Sequence, residues 1–202
     1  MSNKRRRVPS YFAALFFVLF LSGCASTATN MQMVPPDKIT VAPEKGKSMV
    51  VFMRPSDVSG AAQTSLFEIK KDTPLLIGIL EAREKISYQL EPGEHLFMVV
   101  GENTGFMSAE LQANKTYYAH IMPKMGRWVG RFSLYPIPLN QLYSARLNER
   151  LESCKWVEKT AAANDWVNSN MADLQSKYKK HYAEWMKKDS SAKPKLLLQD
   201  GK

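Results

Sequence analysis

The sequence contains few of the residues that usually build enzyme or metal sites. It has three histidines, His95, His120 and His181, and no two of them have the spacing of metal ligands. It also has no Gly-x-Ser-x-Gly motif, no phosphate-binding loop and no dinucleotide-binding fingerprint. We therefore predict a protein without catalytic residues, metal or cofactor. A hydrolase whose site forms only when distant residues meet in the fold stays open as an alternative.

A hydrophobic run long enough to cross a bilayer is also absent. The apolar, uncharged segment Tyr11 to Leu21 is shorter than the roughly 20 residues that a transmembrane helix needs. Four basic residues, Lys4 to Arg7, precede this segment, and the small residues Ser22 and Gly23 follow it. A basic region, an apolar region and small residues in this order are typical of a signal peptide. We therefore assign residues 1–23 to a signal peptide.

The end of this leader, Leu21-Ser22-Gly23-Cys24, resembles the lipobox of bacterial lipoproteins. The resemblance implies cleavage between Gly23 and Cys24 and attachment of lipid to Cys24, so that the protein is anchored to a membrane without spanning it. Ala25 and Ser26 follow without an aspartate, which resembles the pattern of outer-membrane lipoproteins that face the periplasm. An ordinary signal peptide or an anchor helix, with Cys24 incidental, is the alternative.

After cleavage the chain would hold one further cysteine and little excess charge. Cys154 would have no partner for an intramolecular disulfide, so the fold must rest on packing, and Cys154 is expected to be a small core residue. The formal net charge of +9 falls to +5, because residues 1–23 contain four basic residues and no acidic one. This modest charge, together with export, argues against a nucleic-acid partner.

The chain after Cys24 divides into segments of different pattern. Residues 24–47 are rich in proline and small polar residues and predict a flexible linker spanning about 25 Å. Residues 48–136 contain about eight short apolar or alternating stretches separated by turn signals. This pattern predicts an antiparallel β-sandwich or a small barrel. The predicted fold class is thus mainly β, followed by a C-terminal α-helical extension.

Three short motifs in the β-region point to a family. They are Val51-Phe52-Met53-Arg54-Pro55, Leu90-Glu91-Pro92-Gly93-Glu94-His95 and Asn114-Lys115-Thr116-Tyr117-Tyr118. In this order and spacing they resemble an uncharacterised family of bacterial lipoprotein β-domains, domain of unknown function 2846. Asn114 stands where that family usually has glycine, and asparagine tolerates a left-handed turn position. The resemblance covers residues 48–136 and implies a β-sandwich on a lipid tether with no known activity.

The pattern changes after residue 136. Residues 137–189 contain apolar residues at helical spacing, including a stripe that ends in Tyr178, Tyr182 and Trp185, and Asn164 or Asp165 is a plausible N-cap. We expect this helical extension to dock on the β-domain, because an undocked stripe would leave large apolar surfaces in water. Residues 190–202 are mostly polar and predict a frayed tail.

One small basic cluster is a candidate binding face: Lys124, Arg127 and Arg131. Arg127 and Arg131 share a face if they lie on one strand, because side chains repeat every two residues. Such a face could meet lipid phosphates or an anionic glycan. An edge strand protected by charge is the alternative.

These observations favour a non-enzymatic envelope lipoprotein that binds another envelope protein or a glycan. A peptidoglycan-linking lipoprotein is a second hypothesis, because Lys202 resembles the terminal lysine through which the major wall-anchored lipoprotein is attached. The hydrolase is the third.

Overall fold

A computed structural model describes residues 29–58, 62–125 and 130–202. The predicted signal peptide, the cleavage site Gly23–Cys24 and the side chain of Arg127 lie outside these residues. In the described ranges, no helix has the length and apolar character needed to cross a membrane.

Over these residues the chain forms eleven strands and two α-helices. The strands are β1 (Met31–Met33), β2 (Ser48–Arg54), β3 (Thr64–Lys70), β4 (Thr73–Leu80), β5 (Glu84–Leu90), β6 (Gly93–Val100), β7 (Thr104–Leu111), β8 (Thr116–Met125), β9 (Gly130–Pro136), β10 (Lys155–Lys159) and β11 (Lys195–Leu196). The helices are α1 (Ala145–Ser153) and α2 (Ala161–Met186). Short 3-10 turns cover Pro36–Lys38, Leu139–Gln141, Ser190–Ala192 and Leu198–Asp200.

The strands form two sheets that face each other as a sandwich. The first sheet has the order β1-β10-β5-β2-β8-β9, and the second has the order β11-β7-β6-β3-β4. The prediction of a mainly β sandwich with a C-terminal helix is confirmed, and the described strands do not close into a barrel. The sheets are mixed rather than purely antiparallel, because β2 runs parallel to β8, β5 to β10 and β7 to β11. The eight strands expected in residues 48–136 are β2 to β9, and three more come from outside that segment.

Strand β2 is buried along its whole length because both faces of the first sheet are covered. Val50 and Phe52 point into the core between the sheets, where Phe52 meets Phe97 of the second sheet edge to face at 4.9 Å. Met49 and Val51 point outward, into a second cluster with the segment that contains α1. This double covering explains why β2 is a continuous apolar run instead of an alternating one.

Helix α2 covers the outer face of the second sheet. Its buried side chains, among them Leu174, Tyr178 and Trp185, pack against Phe67 and Phe106 of the sheet. The helix begins at Ala161, after Thr160, rather than at the predicted cap Asn164 or Asp165. Alanine has the highest helix propensity, so the three alanines before Asn164 extend the helix by one turn. The extension is also not helical throughout, because β10 lies between the two helices.

The predicted linker 24–47 contains a strand. Met31–Met33 form β1, which pairs with β10, and Met31 also lies beside Gly78 and Ile79 of β4. The segment therefore joins the sandwich from its first strand onward. Its composition is that of a linker, but β10 supplies the hydrogen-bond partners that hold it in place.

The composition of the tail, residues 190–202, predicts a frayed segment, but in the structure the tail is ordered against the sandwich. Strand β11 adds to β7, and Leu196 is completely buried in the core between the sheets. Lys202 exchanges two backbone hydrogen bonds with Thr116 at 2.8 and 3.1 Å. One buried leucine and a row of backbone hydrogen bonds are sufficient to fix a segment whose other residues are polar.

Candidate functional site

Two members of the predicted basic face lie opposite each other on the β8–β9 hairpin. Lys124 belongs to β8 and pairs with Arg131 on β9, whose side chain is exposed. Strand β8 continues past Pro123 to Met125. Pro123 is tolerated because the pairing of β2 with β8 stops at His120, so no hydrogen bond to β2 is lost there. We call Lys124 and Arg131 the basic hairpin.

A polar triad joins the two sheets near the β5–β6 turn. Glu68 on β3 receives a hydrogen bond from His95 Nδ1 on β6 at 2.8 Å and another from the hydroxyl of Tyr88 on β5 at 2.7 Å. His95 Nε2 lies 2.9 Å from the carbonyl oxygen of Glu91. Both ring nitrogens of His95 therefore lie within hydrogen-bond distance of an oxygen atom.

The charges in this triad are compensated inside the fold. Burial alone would raise the pKa of Glu68, but the hydrogen bonds from His95 and Tyr88 outweigh burial and hold that pKa below its usual value. Burial, and then the neighbouring carboxylate, raise the pKa of Tyr88. Every polar group is thus used in holding the β3, β5 and β6 strands together. This is the arrangement of a structural clamp, with no group left to transfer a proton.

His120 occupies a different place, on the outer face of the first sheet below α1. Arg150 Nη1 donates to His120 Nδ1 at 3.2 Å, and the buried Nε2 has no hydrogen-bond partner among the described residues. Burial, followed by the positive charges of Arg150 and Arg146, lowers the pKa of His120 to about 4. His120 is therefore neutral at pH 7.

The three histidines lie at three different places in the fold, on β6, β8 and α2. His181 lies on α2 and pairs with Glu184 at 3.1 Å. Within the part of the chain that the structure describes, no group of three or more His, Cys, Asp or Glu side chains could hold a metal ion. Cys154 is buried, and burial raises the pKa of its thiol.

Arg54 of the family-like motif is completely buried at the end of β2. Its guanidinium lies 4.6 Å from the ring centre of Phe132 and donates hydrogen bonds to the carbonyl oxygens of Ala62 and, at 3.1 Å, Leu80. Arg54 therefore closes one end of the sandwich by joining β2, β4 and β9, and its role is structural.

A cavity of about 220 Å³ lies where the edges of β7 and β9 meet the end of α2. Phe106 and Trp185 give it an apolar wall, while Ser133, Tyr135, Glu184 and Lys188 are among the polar lining residues. The buried indole N–H of Trp185 has no acceptor among the described residues. We call this cavity the outer cleft, and it shares strand β9 with the basic hairpin.

The outer cleft was not predicted from the sequence. Its lining comes from residues 104–106, 133–135, 181–188 and 192–194, so no local motif could indicate it. The apolar stripe of α2 was the one available signal, because it placed Trp185 against the sheet.

Comparisons with known proteins add little to this geometry. No family model matches the chain, and no curated protein matches it. The NMR structure of a protein from Eubacterium rectale aligns with 46% of this chain and 89% of its own, at 10% identity and a TM-score of 0.30. A similarity of that size carries no argument about fold or function. The resemblance to domain of unknown function 2846 stays a prediction.

Proposed function

We propose that this protein is a lipid-anchored component of the bacterial cell envelope, held by lipid on Cys24 at the outer membrane and facing the periplasm. The observation that carries the proposal is the Leu-Ser-Gly-Cys motif at the end of an export leader. Contacts within the fold support it, because Thr29 and Asn30 are bound to Thr160 and so join the chain to the domain close to the proposed lipid site.

In this proposal the domain is a non-enzymatic binding module. The outer cleft and the basic hairpin, side by side on β9, would contact another envelope protein or an anionic glycan. The buried ionisable groups support binding rather than catalysis. Glu68, His95 and His120 are engaged in contacts that stabilise the fold.

The wall-linking hypothesis receives less support. Lys202 pairs through its backbone with Thr116, and its ammonium group lies 5.1 Å from the ring centre of Tyr118. A lysine used for covalent attachment would have to leave this position. The hydrolase hypothesis gains no observation in its favour, because the polar triad has no unengaged base or nucleophile.

Replacement of the cysteine tests the proposal. In cells fed a palmitate analogue, the wild-type protein should be labelled and should fractionate with membranes, whereas Cys24→Ser should lose the label and become soluble. Cys154→Ser is the matched control and should keep both properties, since Cys154 is buried. Labelling that persists in Cys24→Ser would refute the lipid anchor.

A further inference from the structure

The segment between the proposed anchor and the fold is very short. The hydroxyl of Thr160 donates to the carbonyl oxygen of Thr29 at 2.5 Å, and the backbone N–H of Thr160 donates to Asn30 at 3.0 Å. Four residues lie between Cys24 and Thr29, so the two are five steps apart along the chain, and a fully extended chain spans about 3.3–3.6 Å per residue. The distance from Cys24 to the fold is therefore at most about 18 Å. If Cys24 carries lipid, as proposed above, the domain stays at the membrane surface.

This short tether also fixes which part of the domain is near the membrane. Thr160 directly precedes α2, so the anchor enters at the first turn of that helix. Helix α2 has 26 residues, which at 1.5 Å per residue gives a length of about 39 Å. One end of a long surface helix is thus held within reach of the lipid headgroups.

The side of α2 that faces away from the sheet is basic and flat. Asp173, Glu184 and Met186 are exposed at the borders of this side. The other exposed residues from the middle of α2 to its C-cap are small or cationic: Ala172, Ser176, Lys179, Lys180, Ala183 and the C-cap Lys187. They lie at three- and four-residue steps and so form one ridge on the helix. We call this the outer ridge. Asp165, near the anchored end, is the acidic residue in line with it.

The lysines of the outer ridge are available for an external partner. Among the described side chains, none forms an ion pair with Lys179, Lys180 or Lys187. On the flank of the helix, Asp173 forms an ion pair with Lys177 at 2.7 Å, and a carboxylate oxygen of Glu184 lies 3.1 Å from His181 Nδ1.

We infer that the outer ridge of α2 lies on the anionic phospholipid headgroups beside the anchor. This inference rests on the proposed lipid anchor and adds the orientation of the domain and its second contact. Lysines near an anionic surface are attracted to it, and a lipid chain combined with a basic patch holds a protein more firmly than either alone. The helix then lies parallel to the membrane, with the β-sandwich above it and the α1 side pointing away.

A quenching experiment on the lipidated protein tests this orientation. A fluorophore on Ser176→Cys reports on the outer ridge, and one on Tyr143→Cys reports on the opposite side, where Tyr143 is 73% exposed. Cys154 is buried and does not compete for the label. The vesicles carry a headgroup quencher and about 30% phosphatidylglycerol, enough for a strongly negative surface.

We expect much stronger quenching at position 176 than at position 143. A triple variant should show reduced quenching at position 176, because it loses the attraction between the lysines and the anionic headgroups; its substitutions are Lys179→Glu, Lys180→Glu and Lys187→Glu. About 0.5 M salt should have the same effect on the wild type, because it screens this attraction. A matched control variant makes the same charge change on exposed residues outside the outer ridge and should leave quenching at position 176 unchanged. Its substitutions are Lys38→Glu, Lys45→Glu and Lys71→Glu.

Vesicle flotation separates the two proposals. If the protein floats but both probes are quenched equally, or the lysine changes have no effect, the orientation is refuted and the lipid anchor stands. If the wild-type protein does not float, both proposals fail together.

Discussion

Glu68 and His95 lie 2.8 Å apart on neighbouring strands of the second sheet, and Tyr88 of the first sheet completes their contact. The side chain of Glu68 is buried, so its charge depends on these two hydrogen bonds. These hydrogen bonds hold the pKa of Glu68 in the fold below its value in the unfolded chain, which is near 4.3. Their contribution to stability is therefore fully present above about pH 4.3. It is lost as the pH falls through the lower pKa of the folded state.

Replacement of Glu68 should therefore destabilise the protein in a pH-dependent way. We expect Glu68→Gln to lower the free energy of unfolding at pH 7 by about 1–3 kcal/mol. The difference from the wild type should shrink as the pH falls below the unfolded value, near 4.3, and through the lower folded pKa, because protonation of the wild-type carboxylate removes the stabilisation. Urea unfolding across this range measures it, and Glu94→Gln, exposed on β6, is the control. A difference that stays constant with pH would contradict the assignment.

His120 should make the wild-type protein less stable in mild acid. The pKa of His120 is about 4 in the fold and near 6.5 in the unfolded chain. As the pH falls from about 6.5 towards 4, the unfolded chain therefore binds a proton that the folded protein does not, and the folded protein loses stability. Between pH 7 and 5 the loss should be about 1–2 kcal/mol, and His120→Gln should flatten it. Titration of the imidazole by NMR gives the pKa directly. A midpoint above 6 for His120 would rule this account out.

Gly201 should not tolerate a side chain. A Cβ atom at this position would lie 2.6 Å from Cζ of Tyr117 and 3.0 Å from Cβ of Lys115, inside van der Waals contact. We expect Gly201→Ala to cost about 1–3 kcal/mol through overpacking. Lys202→Ala should have little effect on chemical denaturation, because the pairing of Lys202 with Thr116 uses its backbone. Equal stability of Gly201→Ala and wild type would mean that the tail moves away from Tyr117 freely.

Trp185 should hold α2 on the second sheet. Its ring lies 5.9 Å from that of Phe106 and is 8% exposed. We expect Trp185→Ala to lower the free energy of unfolding of the monomer by about 3–5 kcal/mol. Met186→Ala changes an adjacent side chain that is 52% exposed and should have a small effect. If hydrogen exchange finds α2 unprotected in the wild type, the docking itself is wrong.

The sandwich strands could be predicted because their own residues carry the pattern. Ile86, Tyr88 and Leu90 alternate with polar residues, and Asn114 adopts the left-handed conformation, φ 62°, that its turn position requires. Strands β1, β10 and β11 could not be predicted in this way. They have only three, five and two residues, too few to show an alternating pattern, and each is held by hydrogen bonds to a strand that is distant in sequence.

The candidate site was even less accessible from the sequence. Lys124 and Arg131 were recognised as a basic cluster, but their cross-strand pairing depends on the register of β8 and β9. The contact of Glu68 with both Tyr88 and His95 depends on how two sheets face each other, which alternation along one strand does not specify. Composition gave no indication that Arg54 would be completely buried, because arginine is usually exposed.

The contact between the segment before β1 and the N-cap of α2 has a consequence for how fast the protein folds. Thr29 and Thr160 are 131 residues apart, and Tyr117 and Leu198 are 81 residues apart. Contacts of such long sequence separation require large loops to close before they become favourable, and domains built on them fold slowly. Neither sheet can be completed until the late segments β10 and β11 are present. In the proposed export, this delay would give the chain time to cross a membrane before its sheets close.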